Sequence, residues 1–233
     1  MRLVVFSDIH GNIYALEEFM KNIRELDYDN IVFLGDIFGY YYHQKDIISR
    51  LAGIPDLIWL KGNHDAYAVD VYHGKCDEML YATRFGSTYQ NMHCRFWDQE
   101  IEFINALPSS VTLEEDDKKI GFFHGTPDDP LEGRLYPKDT AAYSAVYADF
   151  DMIILGHTHW RMTRYIDKTI VINPGSLGQP RDGKGFGFAV VDTALRDVRF
   201  IDIEIDKSLL YKEIEEKDSS LEKLKEVLER KVK

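Results

Sequence analysis

Histidine, aspartate and asparagine recur along this chain in five short clusters whose residue types suit metal chemistry. The clusters are Asp8-Ile9-His10, Gly35-Asp36, Gly62-Asn63-His64-Asp65, His124-Gly125 and Gly156-His157-Thr158-His159. Neutral imidazole and carboxylate groups suit Mn²⁺, iron and Zn²⁺ better than Ca²⁺ or Mg²⁺. Because a carboxylate has two oxygens, one aspartate can bridge two ions. Two ions roughly 3.5 to 4 Å apart can share a hydroxide and clamp both oxygens of an in-line phosphoryl displacement.

Taken singly, most of these clusters have ordinary structural explanations. An Asp-x-His is more often a capping aspartate beside an unrelated histidine, and Gly-Asp is a common turn. The segment Gly62-Asn63-His64-Asp65 is equally consistent with a plain turn. His157 and His159 are more specific, because paired imidazoles at the end of a strand have few structural uses. The five clusters together, in order, favour a metal site.

Each cluster follows a short apolar run that predicts a buried β-strand. The runs are residues 3–6, 31–34, 57–60, 120–123 and 152–155. Nearly continuous apolar runs of this length are typical of strands that are buried on both faces of a sheet. In open α/β sheets, ligands bind beyond the carboxyl ends of the strands. We therefore expect one site assembled from five strand ends.

The remaining patterns complete an α/β fold. Apolar residues at helical spacing after residue 12 give a β-α-β opening, and a second helix is predicted over residues 46–52, before Pro55. Beyond Trp160, alternating patterns predict strands over residues 161–166, 169–172, 186–191 and 198–205, separated by short turns. These spacings indicate antiparallel hairpins, so the sheets are expected to be mixed.

Two segments lie outside this pattern of strands within a domain of residues 1–206. Residues 66–107 are rich in aromatic side chains and are predicted to form a helical cap, including a helix over 98–106. Residues 207–233 are predicted to form a charged C-terminal helix with Leu221, Leu224 and Leu228 on one stripe. Packing of this helix on the domain is favoured over a partner-binding role.

Composition restricts the partners and the compartment. The chain of 233 residues carries 40 acidic and 28 basic residues, a net charge of −12. Without a visible Lys/Arg patch, binding to duplex nucleic acid is not expected. Two cysteines suggest no disulfide framework, and no stretch approaches the roughly 18 to 20 apolar residues that cross a bilayer. With no signal-peptide pattern after Met1, we expect a cytoplasmic protein without a membrane anchor.

The ordered clusters resemble the calcineurin-like metallophosphoesterase superfamily over residues 2 to about 192. Three further segments resemble a compact prokaryotic subgroup of phosphatases and phosphodiesterases: residues 35–40, residues 124–127, and Asn173-Pro174-Gly175-Ser176 followed by Pro180-Arg181. The chain departs from this subgroup after Tyr40, where Tyr41-Tyr42-His43 replaces the usual Gly-Pro. The resemblance therefore leaves the substrate open.

The resemblance implies both a fold and a reaction. The fold is a sandwich of two mixed β-sheets flanked by helices, and the reaction is hydrolysis of a phosphomonoester or phosphodiester by a hydroxide that bridges two divalent transition-metal ions. Manganese is the expected metal, with iron, zinc, nickel or cobalt as alternatives. The implied ligands are Asp8, His10, Asp36 and His159 for one ion and Asp36, Asn63, His124 and His157 for the other, with Asp36 bridging. His64 would be the catalytic residue beside the leaving group, and Asp65 would either orient it or cap the next helix.

Three residues near the clusters are candidates for substrate contact. Arg181 could bind a phosphate through its guanidinium, Tyr40 could form a cavity wall, and Asn12 could reach the substrate. Their structural alternatives are a solvated loop arginine, a packing aromatic and a helix N-cap. Further aromatic and arginine side chains after the strand ends, Tyr41, Tyr42, Arg134 and Tyr136, are also candidate walls.

The substrate is expected to be a small phosphate ester. A diester or nucleotide-like compound is favoured, because a capped pocket with many aromatics can hold a ring. One alternative is a non-catalytic scaffold on the same fold, as in a retromer subunit that lacks the catalytic histidine. Another is a nuclease, which the acidic charge opposes. The presence of His64 favours an enzyme, and the oligomeric state is left open.

Overall fold

Two five-stranded mixed β-sheets form the centre of the protein in the computed structural model, which describes residues 1–94, 97–115, 117–140 and 145–231. The strands are β1 (Arg2–Phe6), β2 (Asn30–Phe33), β3 (Ile58–Trp59), β4 (Ser110–Glu115), β5 (Lys118–Phe123), β6 (Met152–Leu155), β7 (Met162–Ile166), β8 (Thr169–Asn173), β9 (Gly187–Asp192) and β10 (Asp197–Asp202). Their order is β10-β9-β1-β2-β3 in one sheet and β4-β5-β6-β8-β7 in the other. The predicted α/β fold with two layers of mixed sheet is confirmed.

Helices cover the outside of the first sheet. They are α1 (Ile13–Ile23), α2 (Gln44–Ala52), α3 (Asn63–Tyr72), α4 (Glu78–Phe85), α5 (Asp98–Ala106), α6 (Ser208–Lys217) and α7 (Lys223–Glu226). Residues 66–107 are mainly helical, as predicted, although Phe96 lies outside the described residues. Within the described part of the chain, no helix is long and apolar enough to cross a membrane.

The hydrophobic core has two main layers. Between the sheets, β1 and β2 bury Leu3, Val5 and Val32 against residues of the second sheet such as Phe122 and Ile154. On the other face of the first sheet, alternate residues of the same strands pack against the helices, the cap and the C-terminal tail. Since successive side chains of a strand point to opposite faces, strands buried on both faces must be apolar throughout.

The five predicted apolar strands correspond to β1, β2, β3, β5 and β6, and neighbours among them in each sheet are parallel. Hairpin pairing after residue 160 is also confirmed, because β7 pairs with β8 and β9 with β10 in antiparallel register. Strand β4 was not predicted. It pairs only with β5 at the edge of its sheet and is half-exposed and partly charged, so it lacks a continuous apolar run.

The tail of residues 207–233 is not one helix, which corrects the prediction. Helix α6 ends at Lys217, and the chain turns before α7 begins at Lys223. The carboxylate of Asp218 accepts hydrogen bonds from the backbone and hydroxyl of Ser87 and from the hydroxyl of Tyr42, which holds this turn against the cap. Leu224 and Leu228 are buried in the helical core layer, so the tail packs on the domain.

Candidate metal centre

The carboxyl ends of five strands, drawn from both sheets, bring the sequence clusters together beyond the ends of the strands. Within the described chain, two groups of side chains could each hold a metal ion: Asp8, His10 and His159 form the first group, and Asp36, His124 and His157 form the second. In each group the ligand atoms lie within 4.8 Å of one another, and all six residues are buried.

The two groups are in direct contact through Asp36. Its Oδ2 lies 3.3 Å from Nε2 of His124 in its own group and 3.8 Å from Nε2 of His10 in the first group. In the first group, Nε2 of His159 lies 3.2 Å from Oδ1 of Asp8. A carboxylate placed between two groups of donors has the geometry that bridging requires.

Asn63 belongs to the second group although it is not ionisable. Its Oδ1 lies 3.0 Å from Nε2 of His124 and 2.9 Å from Nδ1 of His157. Asn63 opens helix α3, so the positive end of that helix dipole faces the site. Every predicted ligand is therefore brought to one place.

Backbone carbonyls fix the orientation of three of the four imidazoles in the two groups. Nδ1 of His10 donates to the carbonyl of Phe38 at 2.7 Å, and Nδ1 of His124 donates to that of Leu34 at 2.8 Å. Nδ1 of His159 donates to the carbonyl of Gln179 at 2.6 Å. A donating Nδ1 carries the proton of a neutral imidazole. The lone pair of Nε2 is therefore free to face the other ligands.

The donor atoms fit divalent transition-metal ions. Both oxygens of Asp8, Oδ2 of Asp36 and Nε2 of His157 are buried and accept no hydrogen bond from the described residues. Buried polar atoms without partners are unfavourable by roughly 1–3 kcal/mol each, so native proteins keep few of them. Cations bound among these imidazoles and carboxylates would satisfy all of these atoms at once.

Five of the seven predicted ligands lie on backbone in the left-handed region, which L-residues rarely adopt. The φ angles are 56° at Asp8, 50° at His10, 69° at Asp36, 63° at His157 and 59° at His159. Such conformations cluster at functional sites, where the surrounding structure holds them. The glycines before the ligands allow close approach: a Cβ on Gly62 would lie 2.1 Å from Oδ1 of Asp36.

Burial and mutual contact shift the pKa values of these groups. Burial raises the pKa of Asp36 to about 7 against the opposing charge of His124. Burial alone would lower the pKa of His124, but the Asp36 carboxylate raises it to about 9. For Asp8, the nearby histidines His159, His124 and His10 outweigh the effect of burial and hold its pKa well below the usual range. Metal binding requires the deprotonated forms of Asp36 and His124, so a bound cation would displace any proton shared between them.

Asp65 holds the loop that carries Asp36 and does not contact the His64 ring. Its carboxylate accepts hydrogen bonds from the backbone N–H groups of Asp36, Ile37, Phe38 and Gly62 at 2.8 to 3.1 Å. Of the two roles that the sequence left open, capping the next helix agrees with the Gly62 contact, and orienting His64 is wrong.

Tyr89 makes the contact with His64 that Asp65 does not. The Tyr89 hydroxyl lies 2.9 Å from Nδ1 of His64, and Gly39 leaves room for the ring, since a Cβ there would lie 2.6 Å from Nδ1. Burial lowers the pKa of His64 well below its usual value, with the charges of His10 and Arg181 adding to the effect. Tyr89 was not predicted as a site residue, because nothing in its sequence context distinguishes it from the other aromatics of the cap.

A cavity of about 280 Å³ opens above the two groups. It is lined by Asp36, Tyr40, Asn63, His64, Tyr67, Tyr81, Arg84, Phe85, Arg134, Tyr136, His157, His159 and Arg181. Tyr40 and Arg181, both candidates for substrate contact, line it, and Arg181 donates to the Tyr40 hydroxyl at 2.9 Å. Helices α3 and α4 of the cap contribute Tyr67, Tyr81, Arg84 and Phe85.

Asn12 does not line this cavity, which corrects its assignment to the substrate. It is fully buried as the N-cap of α1, where Oδ1 accepts from the Ala15 N–H and Nδ2 donates to the Gly178 carbonyl. Tyr41 and Tyr42 are not cavity walls either, because their hydroxyls donate to Leu224 and Asp218 of the tail. The polar groups of these three side chains therefore form hydrogen bonds within the protein.

Comparison with known proteins places the chain in a family. The model of the calcineurin-like phosphoesterase superfamily domain matches residues 1–196, so the chain belongs to this superfamily. It is 27% identical to the uncharacterized protein MJ0912 of Methanocaldococcus jannaschii, and the alignment covers 91% of each chain. It is 22% identical to the phosphodiesterase MJ0936 of the same organism, and that alignment covers 88% of this chain and 100% of the relative. The crystal structure of a metallophosphoesterase from Sphaerobacter thermophilus superposes with a TM-score of 0.76 at 25% identity, covering 99% of this chain and 98% of that one.

Proposed function

We propose that this protein hydrolyses a phosphomonoester or phosphodiester at a dinuclear metal centre. The proposed ligands are Asp8, His10, Asp36, Asn63, His124, His157 and His159. The observation that carries the proposal is the pair of buried Asp/His groups, in which both oxygens of Asp8, Oδ2 of Asp36 and Nε2 of His157 lack hydrogen-bond partners among the described residues. Membership of a phosphoesterase superfamily and a 22% identical phosphodiesterase relative support it.

When bound, two divalent ions would lower the pKa of a coordinated water and neutralise charge on the phosphoryl oxygens. Asp36 would hold both ions through its position between the groups, while its Oδ1 accepts a hydrogen bond of 2.8 Å from the His64 N–H. This contact ties the bridging ligand to the first turn of α3. Any displacement of α3 would therefore move the ligand and His64 together.

His64 is the proposed catalytic residue beside the leaving group. Its ring lines the cavity, and the Tyr89 hydroxyl occupies Nδ1, so Nε2 is the ring nitrogen that faces a substrate. During hydrolysis the bond from phosphorus to the leaving oxygen breaks, and that oxygen must gain a proton or an equivalent stabilising contact. A proton on Nε2 of His64 would supply it.

The proposed substrate is a small diester or a nucleotide-like ester. Three aromatic rings of the lining, Tyr40, Tyr67 and Phe85, contact the His64 ring, and the Phe85 ring lies 4.6 Å from it. Tyr81 extends this aromatic surface by packing against Tyr67 and Phe85. Rings at such distances can pack against a base or another planar group. Manganese is the proposed metal, since the mixed Asp, Asn and His ligands suit it.

Metal content and activity measured together test this proposal. Protein loaded with Mn²⁺ should contain two ions per chain by elemental analysis and show two anomalous peaks beside Asp36. It should hydrolyse bis-p-nitrophenyl phosphate or p-nitrophenyl phosphate. One ion at saturating metal would contradict the dinuclear centre, and inactivity on a panel of phosphate esters with both ions bound would favour a scaffold.

A further inference from the structure

The cavity above the metal centre has the opposite charge balance to the rest of the chain. Its described lining contains three guanidinium groups, those of Arg84, Arg134 and Arg181, and one carboxylate, that of Asp36. The whole chain has 40 acidic and 28 basic residues. Positive charge is therefore concentrated at this opening, where it would attract anions.

The three arginines come from separate parts of the fold. Arg84 lies in the last turn of α4, Arg134 in the connection between β5 and β6, and Arg181 in the connection between β8 and β9. Their convergence does not follow from the pattern of one helix face or one loop. Three separate segments each direct a guanidinium to a cavity of about 280 Å³.

The positive charges in the cavity have little compensation from the protein. Arg181 donates to the neutral oxygens of Tyr40 at 2.9 Å and Gln179 at 2.8 Å. Arg84 has no carboxylate partner among the described residues and lies over the Phe85 ring at 5.5 Å. In the part of the chain that the structure describes, Arg134 pairs only with Glu132, at 3.8 Å, and exposed pairs of this kind contribute little.

The arginines also differ in their position relative to the two metal groups. The backbone N–H of Arg181 donates to the His159 carbonyl at 3.4 Å, and its guanidinium lies 5.6 Å from the centre of the Tyr40 ring, which contacts His10. Arg181 is therefore half-buried beside the first group. Arg84 and Arg134 line the same cavity but are exposed, so they lie at its mouth.

We propose that the substrate carries a second phosphate group besides the one that reacts, and that Arg84 and Arg134 bind it at the mouth of the cavity. This inference rests on the proposed function. Guanidinium groups bind phosphate through two parallel hydrogen bonds, and they are favoured over lysine where such recognition is needed. Arg181, which is partly buried beside His64, remains with the reacting phosphoryl. The substrate class is accordingly a bisphosphorylated, nucleotide-like ester.

Binding of two matched nucleotides tests this inference without relying on turnover. The probes are adenosine 3′,5′-bisphosphate and adenosine 3′-monophosphate, and their dissociation constants are measured by calorimetry on Mn²⁺-loaded His64→Ala protein. The bisphosphate should bind at least about tenfold more tightly, a typical gain for charge-assisted hydrogen bonds. In the Arg84→Gln/Arg134→Gln variant of the same protein this ratio should fall to near one.

Arg50→Gln is the matched control, because Arg50 is an exposed arginine that pairs with Glu17 away from the cavity. It should retain the ratio. Equal affinities for the two nucleotides in the parent protein, or an undiminished ratio in the double variant, would overturn the inference. If the wild type hydrolyses nitrophenyl esters in these cases, the proposed function stands and only the second phosphate site is lost. A wild type that binds neither nucleotide and hydrolyses no ester contradicts both.

Discussion

Two regions that meet at the cavity are built in contrasting ways. We call them the strand-end cluster (Asp8, His10, Asp36, Asn63, His124, His157 and His159) and the insertion wall (Tyr67, Tyr81, Arg84 and Phe85). The strand-end cluster is buried where strands of both sheets end, and backbone carbonyls anchor three of its rings. The insertion wall lies on two helices and is half-buried or exposed.

The insertion wall is held mainly by contacts between rings. Tyr67 and Tyr81 lie 5.1 Å apart and Tyr81 and Phe85 5.7 Å apart, and the Tyr67 hydroxyl donates to the Glu132 carboxylate. Ring packing tolerates replacement better than left-handed backbone with buried ligands does. We infer that the strand-end cluster determines the chemistry and the insertion wall determines which ester is accepted. Four predictions test this division.

Asp36→Asn should have the largest effect. An amide cannot bridge two cations as a carboxylate does, so metal content should fall below two ions. The rate should fall by more than about 10⁴-fold, because charge stabilisation and the acidified nucleophile are lost together. Elemental analysis and steady-state kinetics measure both. Asp27→Asn, at an exposed aspartate, is the control, and normal metal content in Asp36→Asn would remove Asp36 from its bridging role.

His64→Ala should separate chemistry from metal binding within the same cavity. Both ions should remain, while turnover of esters with alkoxide leaving groups falls by about 10²- to 10⁴-fold, the usual contribution of a positioned acid. Nitrophenyl esters, whose leaving group needs little protonation, should lose far less. His93→Ala, at an exposed histidine paired with Glu78, serves as control. Loss of an ion would make His64 a ligand, and equal losses on both esters would exclude proton donation.

Tyr81→Ala should change substrate preference and leave the metals in place. Removing a ring of the insertion wall should raise KM roughly tenfold for nucleotide-like esters, since aromatic contacts add about 0.5–1.5 kcal/mol to burial. Tyr72→Ala is the matched control, because Tyr72 belongs to the same insertion but donates to Asp98 away from the cavity. An unchanged ranking of esters in Tyr81→Ala would make the insertion wall a structural appendage.

Tyr89→Phe should have the smallest effect. It tests the contact between the insertion and the catalytic histidine. Tyr89 belongs to the insertion, yet its hydroxyl contacts the His64 ring at 2.9 Å. Its removal should lower kcat for alkoxide esters by about fivefold, the value of one hydrogen bond of about 1 kcal/mol, with little change for nitrophenyl esters. Tyr165→Phe, at an exposed tyrosine, is the control. An identical loss on both ester types would indicate a packing role alone.

Much of the strand-end cluster could be predicted from the sequence because its information is local. Each ligand follows an apolar run, and the carboxyl ends of neighbouring parallel strands meet, so Asp8 and Asp36 could be placed together without coordinates. The structure brings all seven predicted ligands to one place. The glycines that precede Asp36, Asn63 and His157 are explained by how closely the strand ends approach.

Contacts that depend on how helices pack could not be predicted in this way. The contact between the Tyr89 hydroxyl and Nδ1 of His64 depends on how the turn Ser87–Tyr89, which follows α4, packs against α3, and apolar periodicity does not determine this packing. Likewise, the charged residues after Ser208 suggested one helix, whereas the side-chain contacts of Asp218 with Ser87 turn the chain. Besides capping α1, Asn12 donates a hydrogen bond to the Gly178 carbonyl. This contact joins residues far apart in sequence, so local patterns do not predict it.

The left-handed backbone of the ligands has a consequence for engineering. This conformation is unfavourable by roughly 1–2 kcal/mol for each residue other than glycine. A catalytically dead variant such as Asp8→Gly, with φ already at 56°, would remove that strain together with two buried oxygens that lack partners, so heat resistance and turnover would change in opposite directions. Selection for thermal tolerance alone would therefore act against the residues that carry the chemistry. Stabilising substitutions should be sought instead at the solvent-facing positions of α6, which contribute no proposed ligand.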